Sequence, residues 1–314
     1  MYDVDFFVVP FREVPFQKAF LNARPAAENP HRSQQAASCP GVARREVMTS
    51  ASRLAIAGAF AIGLGTAGAA AIARRSKPKY VLHVYDHCPF CNRVEWLMQH
   101  FGISYERVLY GYGAGADPKK CDGHGYGTGP LPLTGKKMLP VLCGEGVPSA
   151  PGASGMPESM EICSFLIAKH GLVVPCDSGR EDVKKFTAEL TALKPDLVEH
   201  RMVRMPIEDW ADPRDVAYRR YKKKLPIEPP PVAPQPELLA DLNAQLAELP
   251  ALLKGRDASG TPCLNAWGWG MDDVLLLPLL RAFTCVKGAV FPSEVEAYLN
   301  IEATQMIDYR MHAL

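Results

Sequence analysis

Net charge is nearly missing from this chain: 35 Lys and Arg stand against 34 Asp and Glu, a formal charge of +1 over 314 residues. That balance argues against a protein whose main partner is a phosphate polyanion, so no nucleic-acid ligand is expected. Close cysteine pairs are scarce too. Nine cysteines cannot all pair within one chain, and only one Cys-x-x-Cys stands among them. A secreted disulfide framework is thereby disfavoured, and a reducing compartment with one special dithiol fits better. Residues 1–77 lack any sustained period of 2 or 3.6 and do not read as globular. Proline, in contrast, is in excess at 28 residues, against roughly 5% in average usage, which predicts long irregular stretches. The length allows about two domains of ordinary size.

Within the first 77 residues, positions 54–73 form an uncharged run bounded by Arg53 and by Arg74, Arg75 and Lys77. Twenty residues just suffice to span a bilayer as a helix, although Ala and Gly dominate this run. Three readings stand side by side: a cleaved targeting segment, a retained anchor giving membrane association through 54–73, and a disordered linker. Arg44-Arg45 ahead of the run and Ala69-Ala70-Ala71 at its end have the order of a twin-arginine-type signal. In a nuclear-encoded chain that order suggests an organellar address, a plastid before a mitochondrion or the cytoplasm, thylakoid-directed or membrane-anchored. Asp3, Asp5 and Glu13 count against a standard presequence starting at Met1.

The chemistry is concentrated further on. A β-prone run, Tyr-Val-Leu-His-Val-Tyr ending at Tyr85, leads directly into Asp86-His87-Cys88-Pro89-Phe90-Cys91. Val94, Leu97, Met98 and Phe101 then recur as the stripe of an amphipathic helix. Pro89 suits the first helical position, where its missing N–H costs nothing. Cys88 then falls at the N-cap, where free amides and the positive end of the macrodipole favour a thiolate. Cys91, one turn inward, is suited to resolve a mixed disulfide. The competing reading is a metal half-site, with Cys121 and His124 as its second half, or a shared iron–sulfur cluster. Pro and Phe between the cysteines argue for redox chemistry, and no metal is expected.

Two more segments bear on the site. Residues 102–110 predict a second strand and Met138-Leu139-Pro140-Val141-Leu142 a third. Pro140 disrupts a central ladder unless it enters the strand or forms a special X-Pro bond, for which the cis form is the candidate. A cis bond would leave the Leu139 backbone free to pair with an extended peptide. Met156-Pro157-Glu158-Ser159-Met160-Glu161-Ile162 opens a helix that runs to about His170 and stops at Gly171. Its first turn can hold a carboxylate through Ser159, with Glu158 receiving an ammonium group; plain helix capping is the alternative.

These motifs together, with Gly135-Lys136-Lys137 ahead of Met138 and with Met271-Asp272-Asp273 and Phe291-Pro292-Ser293 downstream, resemble the glutaredoxin 2 family, the large glutaredoxins of glutathione-transferase shape. The resemblance covers about residues 79–314. It leaves the extension at 1–77 unexplained and implies an α/β plus all-α architecture: a thioredoxin-like domain at 78–172 and an all-helical glutathione-transferase-type domain at 178–314. It further implies a glutathione-dependent thiol–disulfide oxidoreductase acting as a monomer on disulfide or glutathionylated proteins, with glutathione as co-substrate. By the same resemblance Cys88 is the nucleophile and Cys91 the resolving thiol, and Pro89 and Phe90 belong to the glutathione site. Leu139 with cis-Pro140 clamps the cysteinyl part, Glu158 and Ser159 bind the γ-glutamyl part, and Lys137 meets the glycyl carboxylate. A glutathione transferase or dehydroascorbate reductase using Cys88 alone, and a noncatalytic membrane-associated protein of the same fold, are the alternatives.

Two stretches depart from the family pattern. Residues 110–134 form a long glycine-rich link, flexible or functional, between the second and third strands. Residues 225–236 carry six prolines and predict a polyproline-II spacer within the helical domain. Nothing in the helical half reads as an acid–base pair, and Trp267 and Trp269 are expected to pack rather than to stack on a ligand.

Overall fold

The computed structural model describes residues 79–175, 178–226 and 235–314, all of which fall within one compact unit, Val42–Leu314. The run at 54–73 and most of the proline-rich stretch lie outside the described residues. Among the described residues no helix is long and apolar enough to cross a membrane.

The β-prone run forms strand β1 (Tyr80–Val84) and the amphipathic stripe forms helix α1 (Pro89–His100), after which β2 (Tyr105–Leu109) returns parallel to β1. A strand, a crossover helix and a parallel strand make one βαβ unit, whose helix covers a sheet face. Val94, Leu97 and Met98 are fully buried by this packing. The glycine-rich link ends in a short helix α2 (Leu131–Thr134), and β3 (Val141–Gly144), β4 (Met156–Pro157) and helix α3 (Ser159–His170) follow. The sheet order is β2-β1-β3-β4, with β3 antiparallel to both β1 and β4. The arrangement is thioredoxin-like. The second strand starts three residues later than the pattern predicts, and Pro140 stands just before β3.

Eight further helices and strands follow: helices α4 (Glu181–Leu197), α5 (Glu199–Met202), α6 (Pro213–Lys223) and α7 (Pro236–Leu252), strands β5 (Gly255–Arg256) and β6 (Pro262–Cys263), then α8 (Met271–Phe283) and α9 (Ser293–Leu299). The half expected to be all-helical therefore contains a small antiparallel β5–β6 ribbon. Helix α8 is apolar almost all round and nearly every side chain is buried, the signature of a central helix. It packs against α1, so the two halves share a core. Asp273 closes the start of α8: its carboxylate accepts from the Gly270 N–H at 2.8 Å and the Leu264 N–H at 3.0 Å. Trp269 is buried and stacks flat on His100, with centroids 4.1 Å apart. Trp267 is half exposed, with one edge of its ring laid over Gly270.

Candidate functional site

Cys88 is the N-cap of α1 and Pro89 its first residue; the first helical hydrogen bond runs from Asn92 N–H to the Cys88 carbonyl at 3.0 Å. Both sulfurs of the dithiol are free thiols. Cys91 is fully buried, whereas Cys88 is half-buried and Phe90 beside it stands 52% exposed, with the Arg93 guanidinium 4.8 Å over its ring. The Cys88 thiol is pulled below its ordinary acidity constant chiefly by a hydrogen bond from Cys91, against the opposing effect of burial, with help from the Cys91 and Phe90 amides. Burial, together with that same bond, pushes Cys91 well up. The two thiols are thus shifted in opposite directions, Cys88 toward the thiolate and Cys91 toward the thiol.

Strand register brings the other candidate residues to the same end of the sheet. His83 pairs with Val141, and Val141 with Pro157. One step further along each ladder sets Pro140 between Val84 and Glu158, and Leu139 opposite Tyr85. The Leu139–Pro140 bond is cis. The Leu139 N–H and C=O make no hydrogen bond among the described residues, and its side chain packs with Cys88 against the cluster of Tyr85, Tyr110 and Val141. Glu158 is the N-cap of α3 at φ 71°, a conformation rarely adopted by a residue with a side chain. Neither it nor the buried Ser159 caps the helix with its side chain, so plain capping does not explain this pair.

Lys137 is drawn elsewhere. Its amine donates to the Tyr85 hydroxyl at 2.9 Å and to the Tyr112 carbonyl at 2.6 Å. It also lies 4.8 to 5.1 Å from the ring centroids of Tyr85, Tyr112 and Tyr218. Burial pushes its pKa down to about 8. A ligand carboxylate meets this amine only by competing with that cage.

The glycine-rich link is an ordered excursion rather than a loose loop. Asp215 of α6 accepts from the Gly113 N–H at 2.7 Å and the Tyr126 hydroxyl at 2.9 Å, and the Tyr126 N–H bonds back to the Gly113 carbonyl. His124 stacks on Tyr221, 4.9 Å between centroids. The metal reading gains no support from this placement: among the described residues no group of three or more His, Cys, Asp or Glu is arranged to hold a metal ion.

Several site residues escaped the sequence reading, and most come from the half in which no charged chemistry was expected. Arg281 of α8 donates to the Asp86 carbonyl at 2.7 Å and pairs with its carboxylate, which also meets Arg107 at 2.7 Å and the Tyr309 hydroxyl at 2.6 Å. Burial alone would raise the Asp86 carboxyl; Arg281 and Arg107 outweigh it and hold the group far below the usual range. Glu95, buried on α1, bonds to Arg107 and Asn92, and its pKa is raised by burial. Asp209, in a short turn of 3₁₀ helix (Glu208–Trp210), reaches the Asp86 and His87 segment directly. No local signal marks Arg281, Tyr309 and Asp209, because their partners lie more than 100 positions away; Glu95 and Arg107 pair within the first half, across 12 positions.

Two family models match the chain: a glutathione S-transferase N-terminal domain over residues 87–169, and the glutaredoxin 2 C-terminal domain over residues 182–308. Glutaredoxin 2 of Escherichia coli (strain K12) is 23% identical over 226 residues, spanning 71% of this chain and 94% of that protein. The crystal structure of glutaredoxin 2 from Salmonella typhimurium in complex with glutathione shares the fold, with a TM-score of 0.58 and 22% identity across 75% of this chain and 99% of that one.

Proposed function

Because this chain belongs to the glutaredoxin 2 family, we propose that it is a dithiol glutaredoxin, reducing protein or glutathione mixed disulfides at the expense of glutathione. The observation that carries this reading is the asymmetry of the dithiol: Cys88 at a helix N-cap, held acidic by the buried Cys91 thiol and two amides. Cys88 thiolate attacks one sulfur of the substrate disulfide, a new S–S bond forms, and the departing thiolate takes up a proton. Cys91 then loses its proton and attacks the Cys88 sulfur, expelling the second thiol and leaving a Cys88–Cys91 disulfide. Two glutathione molecules return the pair to thiols and leave as glutathione disulfide. In the monothiol variant, glutathione itself replaces Cys91 in the second step.

Glutathione is proposed to lie along the end of the sheet next to Cys88, Pro89 and Phe90. Its cysteinyl part pairs with the free Leu139 backbone beside cis-Pro140, and its γ-glutamyl carboxylate meets the Ser159 N–H and hydroxyl, with Glu158 taking the ammonium. Lys137 is proposed for the glycyl carboxylate only when it leaves its tyrosine cage. No metal enters this scheme. For residues 1–77 the proposal remains an organellar address or a membrane tether, which the N-terminus of the mature protein from cells decides.

The test is glutathione-coupled reduction of a small mixed disulfide by wild type, Cys88→Ser and Cys91→Ser. Loss of activity in Cys88→Ser is expected; activity that survives it rules the mechanism out. Full activity in Cys91→Ser would assign monothiol chemistry and favour a transferase or dehydroascorbate reductase.

A further inference from the structure

The residue before the nucleophile is held from outside its own domain. Asp209 is fully buried, and its carboxylate accepts three hydrogen bonds from one short segment. These come from the Asp86 N–H at 2.9 Å, the His87 N–H at 2.8 Å and His87 Nδ1 at 2.5 Å. The Asp209 backbone carbonyl accepts a further bond from the Tyr112 N–H of the glycine-rich excursion at 3.0 Å. The His87 ring is packed between Trp210 and Tyr112, with centroids 4.7 and 5.1 Å away. One side chain of the helical half therefore fixes both the backbone and the ring that lead into Cys88.

A buried carboxylate is costly unless it is fully paired, so its retention at this point calls for a reason. Two amides and an imidazole satisfy it here, and all three belong to the turn that aims the nucleophile. We infer that Asp209 is a positioning residue of the dithiol site, fixing the Asp86–His87–Cys88 turn from the helical half so that the Cys88 sulfur meets its substrate in line. This inference rests on the glutaredoxin reading for its activity arm only.

The same carboxylate also places negative charge beside Cys88, opposing ionisation of its thiol. The other groups that face Cys88 are Cys91 and Arg93 from α1, Tyr85 from the preceding loop, and Lys194 from α4. Arg219 and Glu199 face His87 in addition to Asp209. Removing the charge of Asp209 while leaving these groups in place separates two effects: the thiolate forms at lower pH, yet it is poorly aimed.

The experiment compares full-length wild type, Asp209→Asn and Asp209→Glu. Iodoacetamide alkylation of Cys88, followed at that peptide by mass, is measured against pH; amide hydrogen exchange over residues 85–88 and glutathione-coupled kcat/KM are measured beside it. Asp209→Asn is expected to shift the alkylation midpoint down by several tenths of a pH unit. It should also speed exchange at 85–88 without touching β1, and lower kcat/KM by about tenfold, as a misplaced reacting atom does. Asp209→Glu, which keeps the charge, should restore the midpoint. Exchange, midpoint and kcat/KM of Asp209→Asn all within about twofold of wild type would overturn the inference. If Asp209→Asn does not fold, His87→Phe serves instead: it removes one of the three bonds to Asp209, so faster exchange at 85–88 together with lowered kcat/KM supports the inference, and a normal value of either overturns it. A wild type inactive with glutathione would fail the glutaredoxin reading, while alkylation and exchange would still judge Asp209.

Discussion

Arg281, near the end of the central helix of the helical half, is joined to Asp86, two residues before the nucleophilic candidate Cys88. Its guanidinium donates to the Asp86 carbonyl at 2.7 Å and pairs with the Asp86 carboxylate, and both side chains are buried. The two halves therefore meet through a charge pair set directly behind the dithiol, with Arg107 and Tyr309 as further partners of the same carboxylate.

Arg281→Met tests that pair. Removing one partner of a buried ion pair strands the other, at a cost of about 3–5 kcal/mol. The remaining Arg107 and Tyr309 contacts place the expected loss near the lower end, about 3 kcal/mol. It is read as a lower urea midpoint at unchanged slope.

Cys91→Ala tests the origin of the acidity of Cys88. The largest cause of that acidity is the hydrogen bond from the Cys91 thiol. The variant is expected to raise the pH midpoint for alkylation of Cys88, while Cys91→Ser, whose hydroxyl still donates, stays nearer wild type. Equal midpoints in wild type and Cys91→Ala would assign the acidity to the helix amides alone.

Lys137 gives a signed pH dependence. Its folded pKa of about 8 lies below the roughly 10.4 of an unfolded lysine. Between these values the unfolded chain binds the extra proton, so the contribution of Lys137 to stability rises with pH across that window. The three tyrosine rings attract the charged form and work against the shift. Relative to Lys137→Met, the wild type should therefore gain about 1–2 kcal/mol between about pH 8 and about pH 10, with no trend below about pH 7. Parallel urea titrations of the two proteins at several pH values measure this difference.

Gly111→Ala probes the glycine-rich excursion. A Cβ built there falls 2.3 Å from the Tyr126 hydroxyl and 2.6 Å from the Asp215 carboxylate. The clamp between the excursion and α6 must therefore open, and faster amide exchange across residues 111–126 is expected while α1 and β1 stay protected. Unchanged exchange would mean that Asp215 does not hold the excursion in place.

Much of the candidate site was legible because its signals are local. A β-prone run, a proline after the first cysteine and an apolar stripe at helical spacing identify the strand, the N-cap and α1 within a stretch of about twenty residues. Pro140 between apolar strand formers marked the cis bond, and Gly171 marked the end of α3. The order of the excursion is less legible, because its glycines serve two ends: Gly115, Gly123, Gly125, Gly127 and Gly129 take positive φ, while Gly111 makes room for Tyr126 and Asp215.

From the sequence alone, the strand before the dithiol, the two cysteines with their different depths and the starts of α1 and α3 could be read, since helix caps, apolar periodicity and proline geometry act between near neighbours; the β5–β6 ribbon and the register that brings Leu139 and Glu158 together could not. Tertiary structure decided which charges matter. Asp209 and Arg281 carry no local mark in the sequence and become buried partners of the dithiol segment only once the halves pack. Lys137 passes from a free cation to a caged one in the same way. Electrostatic pairing depends on distance and burial in space, and neither is written in the spacing of residues along a chain.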